Sequence, residues 1–258
     1  MKKRIVSTIL VLIFLSIAFF AGYQIYREYA EYHEGAEIYR ELEKYVKTPE
    51  GSEQQKADDS EPFESGGEPD KIIDWLVVDF NALKDINPDC VAWIQIEETE
   101  INYPVVQGED NSYYLKHLFE GKWNSSGSIF LDSRVAADLS ERHSIIYGHH
   151  MKNGTMFSDL TEYKKQEYYD AHPAGFLITP DANYQIVFFA GYVARANDDA
   201  WETEYESDEA FSEWLCDAIK KSCFDSDIYP TNSDRIITLS TCSYEFKNAR
   251  FVLHGVLR

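Results

Sequence analysis

Eight short apolar runs set the narrowest limit on how this chain can fold: residues 91–96, 101–106, 128–131, 144–147, 175–179, 184–193, 235–241 and 250–257. Each is rich in β-branched or aromatic residues and is bounded by turn formers, the composition of a strand held between turns. A parallel α/β sheet needs a crossover helix between successive strands, and most of these runs are too close together to accommodate one. The pattern therefore predicts a mainly β fold, a closed barrel or a sandwich. Two helical segments interrupt it. Ile72, Ile73, Leu76, Phe80 and Leu83 recur at helical spacing after Pro69, which predicts a helix over 70–85 at the start of the folded part. Phe211, Trp214, Leu215, Ala218 and Ile219 predict a long helix over 208–223, inserted before the strand at 235–241 and placed to wall a site.

Residues 5–22 are uncharged and mostly apolar, close to the roughly 20 residues a helix needs to span hydrocarbon. Lys2, Lys3 and Arg4 precede the run, and Glu28, Glu31 and Glu34 follow it, which predicts a single-pass anchor with a cytoplasmic N-terminus and an extracellular remainder. A cleaved signal peptide is the alternative, with the small residues Ala18 and Ala21 near the cleavage region. Residues 23–47, rich in Tyr, Glu and Lys, suit a helical stalk. From 48 to 69 the only large apolar residue is Phe63 among Gly, Ser, Glu, Asp and Gln, the composition of a linker. The expected organisation is thus a basic start and membrane anchor over 1–22, a stalk and acidic linker over 23–69, and a catalytic domain over 70–258. A hydrophobic content of 44% is ample for a core, and a net charge of -21 argues against a nucleic-acid partner.

Cysteines stand at 90, 216, 223 and 242. On one helix, Cys216 and Cys223 would lie about 10 Å apart along the axis, beyond disulfide reach. Paired CxxC motifs and zinc-type cysteine-histidine clusters do not occur, so neither a metal nor another cofactor is implied. Cys242 differs from the others in closing a strand, Ile-Ile-Thr-Leu-Ser-Thr-Cys, where the apolar pattern stops. A thiolate there needs an imidazole for proton transfer and a cation or backbone donors for a developing oxyanion. His149 and His150, in Tyr-Gly-His-His, repeat the strand-end placement, whereas His33, His117, His143, His172 and His254 stand singly and read as surface or packing residues. Arg250 opens the last run just after the turn that follows Cys242, so antiparallel pairing would make the two neighbours. An arginine stays charged and can hold an oxyanion without a proton balance of its own.

Thr-Leu-Ser-Thr-Cys with a following Arg, Tyr-Gly-His-His upstream, and Asn-Pro-Asp-Cys-Val-Ala-Trp-Ile-Gln-Ile with Ile-Asn-Tyr-Pro-Val-Val-Gln-Gly over 87–108 together resemble a sortase, most closely class B. The similarity covers residues 70–258 and the N-terminal anchor. It implies a membrane-anchored cysteine transpeptidase of Gram-positive bacteria on a closed eight-stranded β-barrel. Cys242 matches the nucleophile, His149 the general acid and base, and Arg250 the arginine that orients substrate and stabilises the oxyanion, with a backbone N–H near Ser243 assisting. His150 has no matching role. Asn111, Leu115, Tyr205, Ser240, Thr241 and Ser243 correspond to the sorting-signal groove. The implied partners are surface proteins bearing a C-terminal sorting signal of the Asn-Pro-x-Thr kind and an amine of a cell-wall peptide or pilin. Two other readings stand beside this one, a secreted papain-type cysteine protease and a non-catalytic anchored surface domain. Papain-type order, with the cysteine early and the histidine late, is the reverse of the order here.

Overall fold

A computed structural model describes residues 2–47 and 75–258. The linker expected over 48–69 and the start of the helix expected at 70 lie outside the described residues. Helix α1 (Lys2–Leu42) runs unbroken through the apolar stretch and beyond it. It is long and apolar enough to cross a membrane, and none of its spanning window is buried. Its last turns are not a free stalk: Tyr39 and Leu42 are buried in the main core. Strand β1 (Val46–Lys47) then pairs antiparallel with β2 (Val77–Val78). Where a helix was expected over 70–85, the described part is strand at Val77 and Val78 and helix only over α2 (Phe80–Ile86), capped by the Asp79 carboxylate accepting from Ala82 N–H at 3.0 Å. The physical reason is the ladder itself, which holds 77 and 78 extended.

The eight expected strands are all present, displaced by a residue or two at their ends: β3 (Cys90–Gln95), β4 (Asn102–Val106), β5 (Ile129–Leu131), β6 (His143–Tyr147), β7 (Ala174–Ile178), β8 (Asn183–Arg195), β9 (Ile236–Cys242) and β10 (Ala249–Leu257). They close into a barrel in the order β10-β8-β7-β3-β4-β5-β6-β9. Two of the pairings, β4 with β5 and β6 with β9, are parallel. A short helix α3 (Gln166–Ala171) precedes β7, and α4 (Asp208–Lys221) is the inserted helix, capped by Ser207. Alternation sorts β9 and β10 between two apolar layers. Ile237, Leu239, Phe251 and Leu253 face the barrel core, while Ile236, Val252 and Val256 pack outward with Phe211, Trp214 and Leu215 of α4.

All four cysteines are free. Cys90 is buried in β3, and burial pushes its thiol up to about 12, so it serves packing. Cys223 lies past the end of α4, its N–H donating to the Gly191 carbonyl at 2.7 Å.

Beneath α4 two histidines join three strands. His143 Nδ1 lies 2.6 Å from the Glu202 carbonyl, which can only accept, so Nδ1 carries the proton and Nε2 accepts from the Thr238 hydroxyl at 2.6 Å. The Thr238 oxygen in turn accepts from His254 Nδ1 at 2.7 Å. Both rings are wholly buried. Burial holds His143 down to about 4 and His254 well below the usual histidine value. Unfolded, each binds its proton near pH 6.5, so the folded state loses stability as pH falls below 6.5, and the His143 share is lost in full by about pH 4. That share is on the order of 3 kcal/mol. The thermal midpoint of the full chain in detergent should therefore drop by several degrees between pH 7 and 4. A midpoint flat across that window would contradict the burial of these rings in neutral form. Asp132, held to about 2, adds its own loss only at lower pH.

Candidate active site

The end of β9 and the start of β10 bring Cys242 and Arg250 opposite each other as register partners. On the other side of β9, Tyr147 of β6 is the register partner of Ser240, and the next residue, Gly148, donates its N–H to the Ser240 carbonyl at 3.0 Å. Strand β6 therefore delivers His149 and His150 beside Cys242. Glycine is required at 148, because a Cβ there would stand 2.5 Å from Ile129 Cδ1 and 2.6 Å from the Phe157 ring.

Alternation after Tyr147 turns His149 toward the face that carries Tyr147 and Cys242, and its Nε2 meets the Leu115 carbonyl at 2.7 Å. His150 takes the other side. It bridges to Met156, and its ring meets Tyr244 edge-on at 5.2 Å. Burial lowers its basicity, opposed by the neighbouring Cys242 backbone. The two histidines thus flank the end of β9 from different sides.

Next to this point lies a cleft of about 360 Å³ lined by Asn111, Leu115, Phe130, Tyr147, Ala196, Trp201 and Arg250. The guanidinium of Arg250 donates to the Ala249 carbonyl at 3.1 Å, and among the described residues no carboxylate pairs with it. Its charge is left to the cleft.

Of the six residues expected in the groove, the structure brings Asn111 and Leu115 into the cleft. Ser240 stands behind its wall, its Oγ accepting from Trp201 Nε1 at 3.3 Å. The other three lie elsewhere. Tyr205 packs on Phe211 and Trp214, with its hydroxyl 3.0 Å from His143 Nδ1, and the inserted segment supplies Trp201 to the cleft instead. Thr241 and Ser243 are buried on the alternate face of β9 from Ser240 and Cys242. The Ser243 hydroxyl is engaged with Lys164 and Glu245. Its N–H donates to the Ala249 carbonyl at 3.0 Å, so the hairpin ladder engages the Ser243 backbone donor itself.

Sequence reasoning missed the group that braces the cleft. Asp132, fully buried just after β5, accepts from Asn111 Nδ2 at 3.0 Å, Tyr147 Oη at 2.8 Å and the Arg134 guanidinium at 2.7 Å. Arg134 also donates to the Trp201 carbonyl at 3.0 Å. Burial alone would raise the Asp132 pKa, but the donors from Arg134, Asn111 and Tyr147 outweigh it and hold the carboxyl at about 2. An aspartate closing an apolar strand, two residues before an arginine, was the available signal. Asp132→Asn should lower stability by about 1–2 kcal/mol, because the half-exposed Arg134 guanidinium loses its charged partner while keeping the Trp201 carbonyl. It should also lower kcat/KM about 10- to 100-fold by loosening three cleft walls. Urea unfolding and steady-state peptide kinetics check the two effects, and unchanged kinetics in a destabilised variant would refute the bracing role.

The Sortase domain family model matches residues 94–258. Sortase B of Listeria monocytogenes is 37% identical over 177 residues, 68% of this chain and 72% of that protein. Sortase B of Staphylococcus aureus is 38% identical over 163 residues, 63% of this chain and 67% of that protein. Among solved structures, a Staphylococcus aureus sortase B-substrate complex superposes with a TM-score of 0.67 at 36% identity, covering 69% of this chain and 84% of that one. A sortase B of Bacillus anthracis reaches 0.72 at 30% identity, covering 89% and 98%. The chain belongs to the sortase family. It is accordingly a cysteine-type transpeptidase whose similarity runs to class B, and the papain-type and non-catalytic readings fall away.

Proposed function

We propose that the chain is anchored in the membrane by α1 with its N-terminus cytoplasmic and its barrel outside the cell, and that it transfers surface proteins bearing a C-terminal sorting signal. In this reading the signal is of the Asn-Pro-x-Thr kind and lies along the cleft past Asn111 and Leu115. The Cys242 sulfur attacks the threonine carbonyl, and the charge that develops on oxygen is held by Arg250. The Leu115 carbonyl fixes the His149 Nε2 proton, which leaves Nδ1 to take the Cys242 thiol proton as the sulfur attacks and to give it to the departing amine as the C–N bond breaks. The thioester then accepts an amine of a cell-wall peptide or pilin. His149 takes that amine's proton, the C–S bond breaks and the thiol returns. One amide replaces another through an acyl-sulfur bond, so the reaction needs no nucleotide.

The observation that carries this reading is the register pairing of Cys242 with Arg250, which is, among the described residues, the only cation lining the adjacent cleft. The test is a quenched peptide carrying the motif, incubated with the full chain and an excess of a short amine-terminated peptide. Mass spectrometry should find the ligated product. Cleavage that yields only the free acid at saturating amine would refute transfer, and silence across a panel of related motifs would refute the signal.

A further inference from the structure

The second half of α1 is bound along the barrel rather than projecting from it. Tyr39 Oη donates to the Gly127 carbonyl at 2.6 Å, and its ring meets Tyr103 edge-on at 5.3 Å. Gly35 is buried against Ser126, so close that a Cβ would stand 3.2 Å from its hydroxyl. Closer to the apolar stretch, Glu31 accepts from Asn124 Nδ2 through its carbonyl at 2.9 Å and from Ser125 N–H through its carboxylate at 2.6 Å. Glu28 lies 3.7 Å from Lys152 Nζ. The segment read from sequence as a linker does not separate this helix from the barrel. Its flanks are register partners, Lys47 with Val77 and Val46 with Val78, and Asp79 N–H donates to the Tyr45 carbonyl at 2.8 Å. Helix and barrel are joined on both sides of it.

The docked level is also the level of the site. Asn124 N–H donates to the Lys116 carbonyl at 2.9 Å, and the adjacent Leu115 carbonyl holds His149, while Lys152 stands two residues after His150. Measured along the helix axis from Gly22, where the apolar run ends, Glu28 and Glu31 lie at about 9 and 14 Å. The polar layer of a bilayer is about 7 Å thick on each side. With α1 along the membrane normal, the contacts of Glu28 and Glu31 with the barrel would therefore stand just above the headgroups.

We infer that α1 is a rigid strut that fixes the height of the cleft, so that the enzyme reaches only a peptide bond held within about 20 Å of the hydrocarbon edge. This deepens the anchored-transpeptidase reading above and rests on it. A site on a free stalk and linker would instead sweep a wide volume and be indifferent to substrate height.

The test inserts seven helix-forming residues between Ile25 and Tyr26 of the full chain, where α1 is exposed. The insertion raises the barrel by about 10 Å and returns it to nearly the same face, because seven residues make almost two turns. Parent and variant are reconstituted in vesicles with two substrates, a soluble motif peptide and the same peptide joined to a transmembrane segment by a spacer of about four residues, up to about 14 Å long. Turnover of the soluble peptide should be unchanged. Turnover of the tethered peptide should fall at least tenfold, and four more spacer residues should restore it. Equal tethered turnover in parent and variant, or a loss that extends to the soluble peptide, would overturn the strut. Recovery of the parent chain in the soluble fraction, shortened by its N-terminal segment, would overturn the anchored reading, and the strut with it. That outcome is read separately by alkaline extraction and mass.

Discussion

Cys242→Ala is expected to abolish acyl transfer, by roughly 10⁴-fold or more, since removing the attacking atom leaves only what binding and electrostatics contribute. The side chain is half-buried and free at the end of β9, away from both apolar layers, so truncation should cost little stability. Activity and folding therefore separate at this position. Intact-mass analysis supplies the direct check. With a slow acceptor, the parent should gain the mass of the peptide's acyl portion, and the variant should gain nothing. Retention of even a tenth of the parent rate would mean that the sulfur is not the nucleophile.

The second large effect distinguishes the paired histidines. His149→Ala should lower kcat about 10²- to 10⁴-fold, the range of a lost general acid and base, with KM little changed. His150→Ala should keep kcat within about tenfold and instead cost about 1 kcal/mol from the lost edge-on contact with Tyr244. Their placement makes the comparison informative. His149 is tethered to the carbonyl of Leu115, a residue lining the cleft, and His150 is partly buried against Tyr244, its Nδ1 without a hydrogen-bond partner among the described residues. A His150 variant that folds like the parent but forms no acyl adduct would transfer the proton-carrying role to that residue.

Much of this was written in local sequence. The strand at 91–96 was legible because alternating β-branched and aromatic residues fit a pleated, half-buried surface, and the observed β3 begins one residue earlier. The same two-residue period would have separated Ser240 and Cys242 from Thr241 and Ser243, had it been applied past the end of the apolar run. The helix at 208–223 was equally plain from its 3.6-residue stripe. Its loop was harder, since Trp201 and Tyr205 are both aromatic residues in a polar segment, and only packing against Trp214 and His143 draws Tyr205 inward.

Alone, the chain's residues determined the eight barrel strands, the helix inserted before β9 and where a membrane helix can run, and they marked Cys242, Arg250 and the His149–His150 pair as candidates for chemistry. Those properties depend on neighbours within a few positions. The tertiary structure decided that β6 lies parallel to β9, that a buried Asp132 ties three cleft walls together, and that α1 and the flanks of the acidic segment fasten onto the barrel. Contacts of this kind join residues tens to nearly a hundred positions apart, and their free energy depends on shape and burial that exist only once the barrel has closed.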